Sequence, residues 1–223
     1  NMGGFMKILL IKRLESSFFA FKNTLGRFIK SYDDFLAAYK KGKVYVSKKH
    51  WQKIMDFFLA ENYDAIQRLI DDEKAEEYSK NDFIPKLKSD IESDLKTLKV
   101  IEGLWKNITY DPKLDSFIEK IKEQKVLQKS KLIIFTESKE TAEYLSENLK
   151  IRLNDKVLIY HGGSSEKELK TVISNFDAKA RNPKDNYRII VTTEVLSEGI
   201  NLHRSNVVIN YDIPWNPTRM IQR

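Results

Sequence analysis

The chain has 223 residues and no cysteine, is 41% hydrophobic and 32% charged, and carries a formal +7 from 39 Lys and Arg against 32 Asp and Glu. That mixture is globular and excludes collagen-like, mucin-like and wholly disordered chains, while the missing cysteines exclude a disulfide framework and a zinc ribbon. No window approaches the length of about eighteen apolar residues that a membrane span needs, and Asn1 to Met6 lack the order of a secretory signal, so the expected location is cytoplasmic.

Charge is uneven along the chain. Residues 1–50 hold 11 basic and 3 acidic residues, which suits a polyanionic partner, because phosphates neutralised by Lys or Arg release counterions. A solvated lysine-rich helix surface would look the same.

The first half has helical spacing. Met6, Leu9, Leu10, Leu14, Phe18, Phe21, Leu25, Phe28 and Ile29 recur at steps of about three and four, which predicts one long helix. Asp33-Asp34 can open a second helix burying Phe35, Leu36 and Tyr39, with Gly42 as its stop. Trp51, Ile54, Met55, Phe58 and Leu59 repeat the pattern, as do Ile66, Leu69 and Ile70. The run from Ile84 to Trp105 places Leu87, Ile91, Leu95, Leu98 and Ile101 on one stripe. Residues 1–112 therefore predict an all-α region of antiparallel helices, whose aromatics are ordinary core.

Residues 113–223 change character. One more helix, with Leu114, Phe117, Ile118 and Ile121, follows Asp111-Pro112. Lys131 to Thr136 is a continuously apolar strand of the kind covered on both faces. Ser138 can cap the helix bearing Thr141, Ala142, Leu145 and Leu149. A strand over 156–160, a helix with Leu169, Val172, Ile173 and Phe176, and strands over 188–192 and 207–211 complete the series. Alternation of strand and helix predicts an α/β fold: a parallel sheet with helices on both faces, preceded by the all-α region.

Ligands of such sheets bind beyond the carboxyl ends of the strands. Polar residues gather at all four of these ends: Thr136 to Lys139, His161 to Ser164, Thr192 to Glu194 with Ser197 to Asn201, and Asp212 with Trp215 to Pro217. Each loop alone is also what a plain turn or helix cap requires, but four at one edge make a binding rim. His161 suits either a phosphate contact or a strand-end cap. The Gly-x-x-x-x-Gly-Lys-Ser/Thr and Gly-x-Gly-x-x-Gly patterns are absent, as is a nucleophile elbow, and His50, His161 and His203 lack metal-ligand spacing.

The string from Arg188 to Leu202, followed by Val207 to Arg223, resembles motifs five and six of a superfamily-two helicase. It is similar above all to the SWI/SNF-like branch, including the bacterial RNA-polymerase-associated ATPases. Lys131 to Leu145 resembles motif four and its helix, Tyr160 to Ser164 the loop after it, and Leu9 to Ser17 the helical stretch leaving the first motor lobe. The resemblance implies the RecA-like second lobe of an ATP-dependent motor, a fragment cut before its arginine fingers, since it stops at Gln222-Arg223. Residues 31–107 would be a helical insertion between lobes.

The resemblance also implies roles. Thr136, Ser138, Lys139, His161, Gly162, Gly163, Thr192 and Thr193 would lie along nucleic-acid phosphates, and Glu198, Gly199, Asn201, Gln222 and Arg223 would face the nucleotide. ATP and Mg²⁺ would be held mainly by the missing first lobe, so the fragment alone is expected to be inactive. The expected partners are duplex DNA and that lobe. A strand-separating DNA or RNA helicase, or a non-enzymatic helical interaction module with a degenerate lobe, are the alternatives.

Overall fold

The computed structural model describes residues 2–46, 76–196, 200–214, 218 and 220. It forms two compact units, one joining Asn1–Ala20 to Tyr110–Arg223 and one made of Phe21–Thr109.

In the first unit, local sequence sets most element boundaries. Asp111 is extended and its carboxylate accepts the N–H groups of Lys113 and Leu114, with proline at the first helical position, so α4 (Pro112–Glu123) begins there. The short α5 (Lys125–Lys129) follows, and then β3 (Leu132–Phe135), buried throughout. Ser138 caps α6 (Lys139–Leu153) by accepting from Thr141 N–H, and Asn154 ends that helix in the left-handed region at φ 52°. Next come β4 (Val157–Tyr160), α7 (Glu166–Phe176) behind a Ser165/Glu168 capping box, β5 (Ile189–Thr192), a 3-10 turn over Glu194–Leu196 and β6 (Val207–Asn210).

The strands pair in the order β4-β5-β3-β6. All three pairings are parallel, with Tyr160 opposite Thr192, Thr192 opposite Phe135 and Phe135 opposite Asn210. Alternate side chains feed two cores. Leu132, Ile134, Val157, Ile189 and Val191 pack with Leu114, Ile118 and Ile121 of α4 and with Ala142, Leu145 and Leu149 of α6. Ile133, Phe135, Leu158, Tyr160 and Ile190 pack with Val172 and Phe176 of α7. Each buried Leu, Ile, Val or Phe contributes about 1.5–3 kcal/mol relative to exposure, so coverage of both faces explains the uninterrupted apolar strands.

The single long helix expected near the N-terminus is two helices, α1 (Met2–Ser16) and α2 (Phe18–Lys40). The break is Ser17, whose hydroxyl accepts the Ala20 N–H at 3.1 Å and so caps α2, while its own N–H still reaches Arg13 O at 3.0 Å. Residues 1–20, assigned from sequence to the all-α region, belong instead to the sheet unit. Ser16 and Ser17 hold them there through Thr141.

In the second unit, α2 runs through Asp33-Asp34 to Lys40 without the predicted restart. Gly42, at φ 85°, supplies the left-handed turn that ends it. α3 (Lys86–Trp105) buries Leu95 and Leu98, and Trp105 packs on Phe21 at 4.7 Å between ring centroids. This unit is not all-α. β1 (Lys43–Val46) pairs antiparallel with β2 (Glu76–Ser79), and Val44 is fully buried. Lys-Val-Tyr-Val has the β-branched and aromatic content of a strand, but its partner lies about thirty residues on. The helices predicted around Trp51–Leu59 and Ile66–Ile70 fall outside the described residues.

Candidate nucleic-acid interface

Because the four strands are parallel, their carboxyl ends share one edge, and hydrogen bonds carry the order past the strands. Thr193 N–H reaches Tyr160 O at 3.3 Å, Thr136 N–H reaches Thr192 O at 2.9 Å, and Tyr211 N–H reaches Phe135 O at 2.9 Å. Thr136, Ser138, Thr192 and Thr193, from two different loops, are thus brought to one rim, with His161 following the adjoining β4.

The four hydroxyl residues are buried, and three of the hydroxyls already have protein partners. Thr136 Oγ1 donates to Asp212 Oδ2 at 2.5 Å, Arg13 Nη1 donates to Ser138 Oγ at 2.5 Å, and Thr192 Oγ1 donates to Thr193 O at 3.0 Å. Thr193 Oγ1 is buried with no hydrogen-bond partner among the described residues. Behind them stands an ionic cluster that is buried except at the half-buried Lys113. Lys113 Nζ lies 2.8 Å from Asp212 Oδ1, and Lys12 Nζ lies 4.0 Å from Glu137 Oε2 with both side chains nearly covered. Opposed charges in this setting persist because each is matched. Arg13, Ser16, Ser17 and Lys113 were not expected from sequence as site residues, and Asp212 was expected only as part of the rim, with no role of its own. The available signal was a polar Glu15-Ser16-Ser17 step inside an apolar stripe and an aspartate directly after a strand.

Two tyrosines flank the cluster. Burial, then the charges of Asp111 and Asp115, push the Tyr144 phenol up to about 12. Burial, then Asp111 and Asp212, push Tyr211 well above its ordinary value. Lys113 also lies over the Tyr211 ring, 4.1 Å from its centroid.

The accessible part of the rim is the start of α6 and the loop after β4. Gly163 N–H donates to His161 Nδ1 at 3.1 Å, which leaves Nε2 as the protonated nitrogen of the neutral ring. That Nε2 lies 3.6 Å from Glu143 Oε1, and Lys139 Nζ lies 3.7 Å from the same oxygen. A Cβ on Gly163 would stand 3.4 Å from the His161 ring and 3.7 Å from Lys139 Nζ. Both are ordinary contact distances, so His161 and Lys139 lie beside an exposed backbone at Gly162 and Gly163.

Of the residues expected to face the nucleotide, Glu198, Gly199, Gln222 and Arg223 lie outside the described residues. Asn201 is described, and its groups serve a turn: Oδ1 accepts His203 N–H at 3.2 Å and its carbonyl accepts Ala178 N–H at 3.1 Å. Among the described residues no cluster of His, Asp or Glu could hold a metal, so no Mg²⁺ contact is assigned to them. No described helix is long and apolar enough to cross a membrane.

The fold is that of a RecA-like α/β lobe, with polar residues gathered at the carboxyl ends of its parallel strands. Residues 112–223 match the family described as helicase conserved C-terminal domain, and the chain belongs to that family. It is 32% identical over 109 residues to the ATP-dependent RNA helicase DBP8 of Kluyveromyces lactis, covering 49% of this chain and 23% of that protein. It is 28% identical over 127 residues to a probable eukaryotic initiation factor 4A of Trypanosoma brucei brucei, covering 57% and 29%. The matches thus span roughly a quarter of these relatives' length. Among solved structures, a Sulfolobus solfataricus SWI2/SNF2 ATPase C-terminal domain is similar with TM-score 0.39 and 22% identity, covering 74% of this chain and 69% of that one. The C-terminal part of the Fun30 ATPase domain is similar with TM-score 0.42 and 16% identity, covering 89% and 74%.

Proposed function

We propose that the chain is the second motor lobe, with a helical insertion, of an ATP-dependent translocase of the SWI/SNF-like branch acting on duplex DNA. The observation that supports it most is one rim bearing the loops that resemble motifs four and five, on a chain whose residues 112–223 match the helicase C-terminal family. A motor that follows a backbone needs many modest phosphate contacts that fix position without reading sequence. Lys139 and the backbone of Gly162 and Gly163 are the exposed donors for them, with the mostly covered His161 ring beside them. Thr136, Ser138, Thr192 and Thr193 shape the floor beneath, reaching phosphate where the rim rearranges on closure. Glu198, Gly199, Asn201, Gln222 and Arg223 would face ATP held mainly by a first lobe. The 223 residues contain no phosphate-cradling loop of their own, so the chain by itself would not turn ATP over.

The branch assignment rests on Asp212-Ile-Pro-Trp-Asn-Pro217. An RNA-acting helicase is the second reading, favoured by the name of the relative from Kluyveromyces lactis. ATP turnover by the intact protein, measured with single-stranded DNA, duplex DNA and RNA, separates them: duplex should stimulate most, and stimulation by RNA alone would transfer the chain to the second reading. Glu198→Ala should lower turnover while salt-sensitive DNA binding persists; equal loss of both would indicate unfolding.

A further inference from the structure

One buried anion of the rim has no part in the phosphate contacts proposed above. Asp212 is 6% exposed and joins segments far apart in sequence. Its Oδ2 accepts from Ser16 Oγ at 2.8 Å, from Thr136 Oγ1 at 2.5 Å and from Glu137 N–H at 2.9 Å. Its Oδ1 accepts from Lys113 Nζ at 2.8 Å. The same ammonium donates to Glu15 O at 2.6 Å and Ser16 O at 3.0 Å. It thus caps the end of α1, where helix carbonyls lack partners and a cation is favoured. Alongside, Ser16 and Ser17 share Thr141 at 2.7 and 2.8 Å, and Arg13, 4% exposed, bonds the Ser138 cap.

We propose that Asp212 is a positioning residue that fastens residues 12–17 to the strand-end rim and sets the β3–α6 loop. The segment before the insertion and the loop that leads into Lys139 then have one anchor, so displacing either displaces both. Hydrogen bonds to a buried charge are worth more than neutral ones and leave a costly vacancy when one partner is lost. A carboxylate is unsuited to holding phosphate itself, so Asp212 acts through what it holds. Any consequence for coupling nucleic-acid contact to ATP turnover rests on the motor reading; the anchor does not.

Hydrogen exchange on the full chain tests the anchor without any activity. Asp212→Asn keeps the shape but supplies one acceptor oxygen where the carboxylate offers two. The Glu137 amide and those of residues 17–20 should exchange about tenfold faster or more, while Ile134 and Val191 in the sheet keep their protection. Unchanged exchange at Glu137 and 17–20 overturns the proposal. Should the sheet also loosen, Ser16→Ala decides, because it removes the Ser16 bonds to Asp212 and Thr141 and leaves the other Asp212 contacts in place: residues 17–20 must still exchange faster, and wild-type exchange there overturns the anchor. The double variant should show less than the sum of the two effects, and simple additivity also overturns it. In the intact protein, Asp212→Asn should lower the ratio of nucleic-acid-stimulated to unstimulated ATP turnover about tenfold. A wild-type protein without stimulated turnover removes the motor reading and leaves the exchange result to stand alone.

Discussion

Thr136 and Thr193 occupy equivalent places after β3 and β5, yet their hydroxyls differ. That of Thr136 donates to a buried carboxylate, whereas that of Thr193 has no hydrogen-bond partner among the described residues. Thr136→Val should therefore destabilise by about 1.5–3 kcal/mol, the worth of a hydrogen bond to a charged group. Thr193→Val removes a buried hydroxyl with nothing to lose, so its unfolding free energy from urea titration should stay within about 0.5 kcal/mol of wild type or rise. A larger drop at position 193 than at 136 would refute this ordering. Tyr144 adds an alkaline test. Its folded pKa of about 12 exceeds the ordinary phenol value, so the folded state keeps a proton that the unfolded chain loses. Its contribution is complete below about pH 10 and declines as the pH rises from there towards 12. Urea midpoints taken across that window should fall less steeply for Tyr144→Phe than for wild type, with Tyr211, shifted in the same direction, leaving a residual slope.

At the scale of elements, α7 depends on its first turn. Ser165 Oγ accepts Glu168 N–H at 3.3 Å, and Glu168 Oε2 accepts Ser165 N–H at 2.6 Å. The Ser165 hydroxyl also donates to Glu168 Oε2 at 2.9 Å, and the two donations to the carboxylate, the backbone N–H first and the hydroxyl second, hold the Glu168 carboxyl below its ordinary range. The contribution is present above that range and disappears as the pH falls through the lowered value. Ser165→Ala should reduce stability at neutral pH by about 0.5–2 kcal/mol, with the difference from wild type shrinking in acid, as urea titrations at pH 7 and pH 3 would show; a constant difference would mean the hydroxyl's bond to the Glu168 carboxylate contributes nothing. α7 was legible in the sequence for the same reason, as Ser165, Glu168 and the stripe from Leu169 to Phe176 are all local signals. The strands β3 to β6 were legible because cover on both faces leaves short apolar runs. What sequence concealed was non-local. The hydroxyl of Ser17 finds Thr141, 124 residues away, β1 finds β2 across an intervening stretch, and no periodicity encodes either partner. The rim itself followed from placing four polar loops at parallel strand ends. That Thr136 and Ser138 face protein groups could not be read without Asp212 and Arg13 in position.

For the whole molecule, the division falls inside α2, between Ala20 and Phe21, and again between Thr109 and Tyr110. Within the second unit these ends are close together, since Phe21 packs on Trp105 and Lys22 Nζ donates to Ile108 O. A short flexible linker can therefore replace residues 21–109 at small entropic cost. The resulting chain should keep the parallel sheet, because both of its cores are built entirely from the first unit. Removing residues 2–20 as well has a different expected outcome. Glu137 then loses Lys12, Asp212 loses Ser16 and Ser138 loses Arg13, so buried polar groups are left with fewer partners. Breaking into such a cluster should cost about 3–5 kcal/mol, read as a lower urea midpoint for the shorter chain. Equal midpoints for the two chains would mean that the N-terminal segment merely rests on the lobe, and that the domain begins near Tyr110.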